Sequence, residues 1–142
     1  MCDGLEDLQQ YMLYYSGKIF WSSKVVTITE KTAGGNETST SKDARVNSDG
    51  TNGKGADANI KWNPNGLTGG VDVNGNTSRP TQVGLGHELI HANHDINGQN
   101  DPSSSGQQDP DGSGQVLSKE EVKTRHEENQ ISAEQNVPNR KI

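Results

Sequence analysis

The sequence predicts a small α+β domain in which a short antiparallel sheet supports one buried helix, with a second helix beside it and long polar loops between. Three features point there: two short runs rich in β-branched and aromatic residues, one dense apolar run behind a proline, and one polar run that starts at a serine cap. Leu, Ile, Val and Phe together make 24 of 142 residues, or 17%, which is below the level at which a chain ordinarily fills a core. A net charge of -6 is mild for this length, so a single lightly built domain fits better than disorder throughout.

Leu5, Leu8, Met12 and Tyr15 recur at helical spacing ahead of Gly17, giving a short amphipathic helix with a glycine stop. Lys24 to Thr29 is β-branched and reads as a strand; Ala58 to Trp62 reads as a second, closed by the turn residues Asn63-Pro64-Asn65-Gly66. Val71 to Val73 is a third, shorter candidate. Residues 31–57 between the first two are almost wholly Gly, Asn, Ser, Thr, Asp and Lys, the composition of a flexible loop. Pro80 opens a helix carrying Val83, Leu85, Leu89, Ile90 and Ala92, the densest apolar stretch in the chain. Residues 95–115 return to loop chemistry. Ser118 then caps a polar helix with Glu121 three positions on, running to about Gln135 before Pro138.

The balance of 13 Lys+Arg against 19 Asp+Glu argues against nucleic acid, whose phosphates need a basic face. A single cysteine, Cys2, allows no internal disulfide and no thiolate zinc finger. No stretch approaches 18 apolar residues, and Met1 is not followed by a basic segment and an apolar run. Neither a membrane span nor a Sec signal is expected.

His87-Glu88-Leu89-Ile90-His91 is HExxH, and it falls inside the apolar helix. Positions i and i+4 share a helix face, so both imidazoles reach one zinc ion and Glu88 sits beside it as the base for an attacking water. The expected reaction is hydrolysis of a peptide bond. His94 lies on the same stripe, but seven residues at 1.5 Å each place it about 10 Å along the axis from His87, too far for zinc bonds of about 2.1 Å. It reads as a polar residue at the helix end. The third ligand comes from elsewhere, and Asp109, Asp111, Glu120, Glu121, Glu127 and Glu128 are the candidates. A competing pattern runs from Asp109 through Asp111 and Ser113 to Glu120, with the spacing of a calcium loop of the EF-hand kind, although its flanks are poor helix formers.

His87 to Ala92 followed by Glu120-Glu121-Val122-Lys123-Thr124 resembles the HELIHA and EELRT elements of clostridial neurotoxin light chains, zinc endopeptidases in which the second glutamate of the later element is the third ligand. That implies Glu121. The chain resembles more closely the M91 zinc metallopeptidases, type III effectors and C-terminal domains of Rhs-type toxins, through Trp62-Asn63-Pro64, Arg79-Pro80, and Glu128-Asn129-Gln130-Ile131 with Glu134, Pro138 and Arg140 behind. The linker between the two elements is shorter than those families show, which keeps Glu128 in play as an alternative to Glu121. The resemblance further implies a zincin-like fold and an oxyanion-stabilising arginine at Arg140, with a tyrosine three residues later. That tyrosine would fall one position past Ile142, so either the chain is a fragment of a longer toxin or Arg140 and the metal serve the oxyanion alone.

Two functions follow. The first is a zinc endopeptidase acting on a protein substrate in a target cell, exported by a specialised secretion system. The second is a noncatalytic zinc- or calcium-binding module of a secreted protein, in which the metal holds a weak core together.

Overall fold

A computed structural model describes residues 22–142; the helix expected over residues 5–15 and Cys2 lie outside that range. Strands β1 (Val26–Glu30), β2 (Glu37–Thr40) and β3 (Ala58–Trp62) come first, then helix α1 (Thr81–Ile96), a hairpin of β4 (Ser104–Gln108) and β5 (Val116–Ser118), and helix α2 (Lys119–Glu134). No helix among the described residues is long and apolar enough to cross a membrane.

The sheet is mixed, which corrects the antiparallel expectation. Its order is β1-β3-β2; β1 runs parallel to β3 with Val26 opposite Ala58, while β2 runs antiparallel with Thr38 opposite Ile60. A parallel pair needs a crossover of a dozen residues or more, and residues 31–57 supply it. That polar stretch also holds β2 and a 3-10 turn over Lys42–Ala44. Backbone hydrogen bonds tie the remainder to the end of α1: Gly53 N–H to Gly98 O at 2.8 Å, Ala56 N–H to Asp95 O at 3.0 Å and Val46 N–H to Asn100 O at 2.9 Å. Such bonds leave no mark on side-chain composition, so a loop reading was natural. Residues 95–115 likewise contain the end of α1 and all of β4.

Val71 to Val73 forms no strand. Asp72 makes one isolated bridge, to Arg140, flanked by Val73 N–H to Asn139 O and Lys141 N–H to Val71 O, both 2.9 Å. This pins the C-terminal segment across the molecule.

Helix α1 is buried on two sides. Leu89 and Ala92 pack on Ala58 and Ile60 of β3, with Leu85, Val26 and Trp62 at the edge; Val83 and Ile90 meet Ile131 of α2. Gly86 permits that approach, since a Cβ there would stand 2.8 Å from Ile131 Cδ1. Trp62 Nε1 donates to Thr81 O at 3.2 Å, joining the end of β3 to the start of α1. Helix α2 begins as expected, with Ser118 Oγ accepting from Glu121 N–H at 3.0 Å. Its two acids in the first turn suit the positive helix end.

Candidate metal centre

His87 and His91 project from successive turns of α1, and their Nε2 atoms stand 3.1 Å apart. Glu121, from the first turn of α2, brings Oε2 to 3.5 Å from His87 Nε2 and 3.3 Å from His91 Nε2. Among the described residues this is the group of three His, Cys, Asp or Glu side chains able to share an ion. Zinc bonds of 2.0 to 2.1 Å in a tetrahedron give ligand separations of about 3.3 Å. The triangle fits that size.

The reverse sides of the rings explain why the lone pairs face inward. His87 Nδ1 lies 2.6 Å from Glu128 Oε2, and His91 Nδ1 lies 2.8 Å from Glu120 Oε1. Carboxylates accept, so each Nδ1 carries the hydrogen and each Nε2 presents a lone pair to the other ring and to the Glu121 oxygen. Three electron-rich atoms at such distances repel unless a cation sits among them. Without metal, a proton takes that place: burial disfavours the charged His91, but its hydrogen bonds to the Glu120 and Glu121 carboxylates overturn it and push its pKa up to about 10. Burial likewise raises Glu120 and Glu128, yet His91 and His94 hold the former at about 2, and His87 with Arg79 and Arg140 hold the latter at about 2. The donor set therefore fits a metal ion.

Each acid has a fixed task. Glu121 uses Oε1 to accept from Arg125 Nε at 2.7 Å, and Arg125 grips Asp109 through Nη1 at 3.2 Å and Nη2 at 2.7 Å. Glu128 is 1% exposed and is held by Arg79 Nη1 at 2.9 Å and Arg140 Nη1 at 3.2 Å. It therefore backs His87 and does not enter the triangle. The calcium loop does not assemble, since Asp109 is committed to Arg125 and Glu120 to the two histidines, and Asp111 Oδ1 caps Ser113 N–H at 2.8 Å within its own turn. Strand β4 stands before Asp109, where an EF-hand would have its leading helix.

Glu88 is buried, and Thr38 Oγ1 lies 2.7 Å from its Oε2 and 3.2 Å from its backbone oxygen. A cleft of about 390 Å³ is lined by His87, Glu88, His91 and Glu121 together with Asn36 and Thr38 beside β2. A second, of about 320 Å³, shares His87 and Glu88 and extends to Arg79, Arg140, Gly69 and Gly70. Asn129 places Arg140 there, accepting from its N–H at 2.6 Å and donating to its carbonyl at 2.9 Å. Gly70 lies against the guanidinium, where a Cβ would meet Arg140 Nε at 2.1 Å.

Sequence reasoning missed Thr38, which lies 50 residues from its partner with no local signal. It also left Glu120 among the third-ligand candidates and in the possible calcium loop, and read His94 as a polar residue at the helix end, whereas both are buried behind His91. The adjacency of two acids opening a helix is the one sequence cue to paired positions, one in front of both histidines and one behind His91.

The family model Peptidase_M91, described as an effector protein, matches residues 3–142. No curated protein and no solved structure matches the chain.

Proposed function

The chain belongs to the Peptidase_M91 effector family, and from that premise we propose that it is a zinc-dependent endopeptidase delivered into another cell, where it cleaves a protein. Residues 1–142 act as one metallopeptidase domain of zincin-like design. His87, His91 and Glu121 hold the ion. Zinc bound by such a set supplies a Lewis acid and brings the pKa of water toward about 7.

The remaining chemistry belongs to the side chains. Glu88 borders both clefts and takes the proton of the attacking water, then returns it to the leaving amine. Thr38 holds one Glu88 oxygen, so the carboxylate meets water in a fixed orientation. Arg140 shares the second cleft with His87 and Glu88 and donates to the oxygen that gains charge as the carbonyl becomes tetrahedral. Arg125, anchored on Asp109, keeps Glu121 turned toward the histidines.

One observation carries this reading: two Nε2 atoms and a carboxylate oxygen within 3.1 to 3.5 Å of one another, with both Nδ1 atoms bound to buried acids. The test is metal analysis of the purified chain with a peptide-library digest, for the wild type and Glu88→Gln. The variant keeps zinc and loses cleavage by roughly 10²- to 10⁴-fold. A second reading draws on the small apolar contact between the helices, Val83 and Ile90 on Ile131: the metal only ties α1 to α2. Zinc uptake with no cleavage in either protein would favour it.

A further inference from the structure

His94 is 1% exposed and sits one turn beyond His91 on α1. Its Nδ1 is 2.7 Å from Glu120 Oε1 and its Nε2 is 3.1 Å from Glu127 Oε1. Both nitrogens face carboxylate oxygens, so both carry hydrogen and the ring is an imidazolium between two acids. The same Glu120 oxygen takes His91 Nδ1 at 2.8 Å and Thr124 Oγ1 at 3.1 Å, while Glu120 Oε2 is buried with no partner. All three of these hydrogen bonds meet one carboxylate oxygen, and His94 is the donor that stays cationic once His91 gives its Nε2 lone pair to a metal.

The other metal-facing ring is built on the same plan. His87 leans on Glu128, and Glu128 is countered by the guanidiniums of Arg79 and Arg140. A buried carboxylate without a counter-charge would be costly, and one free to rotate would release the ring it orients. His91 leans on Glu120, and the cation opposite is His94.

We propose that His94 is a positioning residue of the metal centre: its Nδ1–H fixes the Glu120 carboxylate so that His91 keeps its Nε2 lone pair on the ion. This rests on the metal-binding part of the functional reading and not on the peptidase part. The bland alternative, a histidine satisfied inside the fold, would make His94 matter for stability and leave metal affinity unchanged.

The two amide substitutions separate these. Asparagine places its nitrogen close to where Nδ1 stands, and glutamine places its nitrogen nearer the position of Nε2. Zinc affinity of the full chain is measured by competition with a chromophoric chelator, beside the melting curve of each metal-free protein. His94→Gln and His94→Leu are expected to bind zinc 10- to 100-fold more weakly, the usual loss when an outer-shell partner of a ligand is removed. His94→Asn is expected to stay within a few-fold of the wild type. Unchanged affinity in folded His94→Gln and His94→Leu overturns the proposal, as do equal losses in His94→Asn and His94→Gln, which would assign the effect to packing. Nitrogen-detected NMR of the zinc-loaded wild type gives a second reading that needs no variant: a protected Nδ1–H on His94 is expected, and its absence overturns the inference. Zinc binding without proteolysis would sink the peptidase assignment and leave this one standing, whereas a wild-type chain that takes up no zinc removes the metal centre and His94's role together.

Discussion

Replacing Glu121 and Glu128 by alanine in turn should give opposite thermal signatures. A ligand at one hundred times its dissociation constant stabilises a fold by about 2.7 kcal/mol, and for a domain of this size each kcal/mol moves the melting temperature by roughly 3 °C. The wild type should therefore melt about 8 °C higher in such an excess of zinc than in chelator. Among the described residues Glu121 Oε2 is the carboxylate atom close to both Nε2 atoms; if its loss weakens binding a hundredfold, the same zinc concentration yields about 0.4 kcal/mol and a shift near 1 °C. The metal-free baseline should fall less than in Glu128→Ala, because Arg125 keeps its two-point contact with Asp109. Glu128→Ala does the reverse. It strands Arg79 and Arg140 in the interior, a cost of roughly 3 to 5 kcal/mol that lowers the baseline by 10 °C or more. A tenfold weaker site still returns about 1.4 kcal/mol, a shift near 4 °C. Differential scanning fluorimetry with and without zinc reads both quantities. A zinc shift that survives in Glu121→Ala and vanishes in Glu128→Ala would refute the ligand assignment.

Three further outcomes are expected. Thr38→Val should lower kcat/KM roughly ten- to a hundredfold with zinc content intact, because a hydrogen bond to a charged group carries about 1.5 to 3 kcal/mol; Thr38→Ser should restore it, and steady-state kinetics decides. Gly70→Ala should displace the Arg140 guanidinium, since the new Cβ would meet Nε at 2.1 Å, and lower kcat by about 10² to 10³ with little change in KM. Zinc must displace the proton that metal-free His91 holds up to about pH 10. Affinity should therefore rise about tenfold per unit from pH 6.5 to 8.5, and competition titrations at those two values would expose a flat response.

The HExxH pair was legible because its geometry is local. Four residues of helix place two rings on one face whatever the rest of the chain does, and Pro80 and Ser118 mark both helix starts in the sequence itself. The place of Glu121 beside the two histidines was legible only through resemblance, because six acids between residues 109 and 128 compete on composition alone. β2 was not legible: Glu37-Thr38-Ser39-Thr40 has no apolar side chain, and its place is set by backbone pairing to β3. The parallel pairing of β1 with β3 was hidden for a related reason, since strand direction depends on where the 27-residue connection travels and not on either strand's composition.

By itself the sequence determined the α1 face that carries His87 and His91 and the capped start of α2, because hydrogen bonding within a turn and side-chain spacing along a helix are properties of a few consecutive residues. Only the tertiary structure decided which acid lies beside both Nε2 atoms and which stands behind a ring. Glu120 and Glu121 are neighbours about 100° apart on one helix, so the docking angle of α2 against α1 sends one to the back of His91 and the other to the front of both histidines. That angle comes from the close approach at Gly86 and Ile131, a contact between residues 45 positions apart that no local pattern encodes.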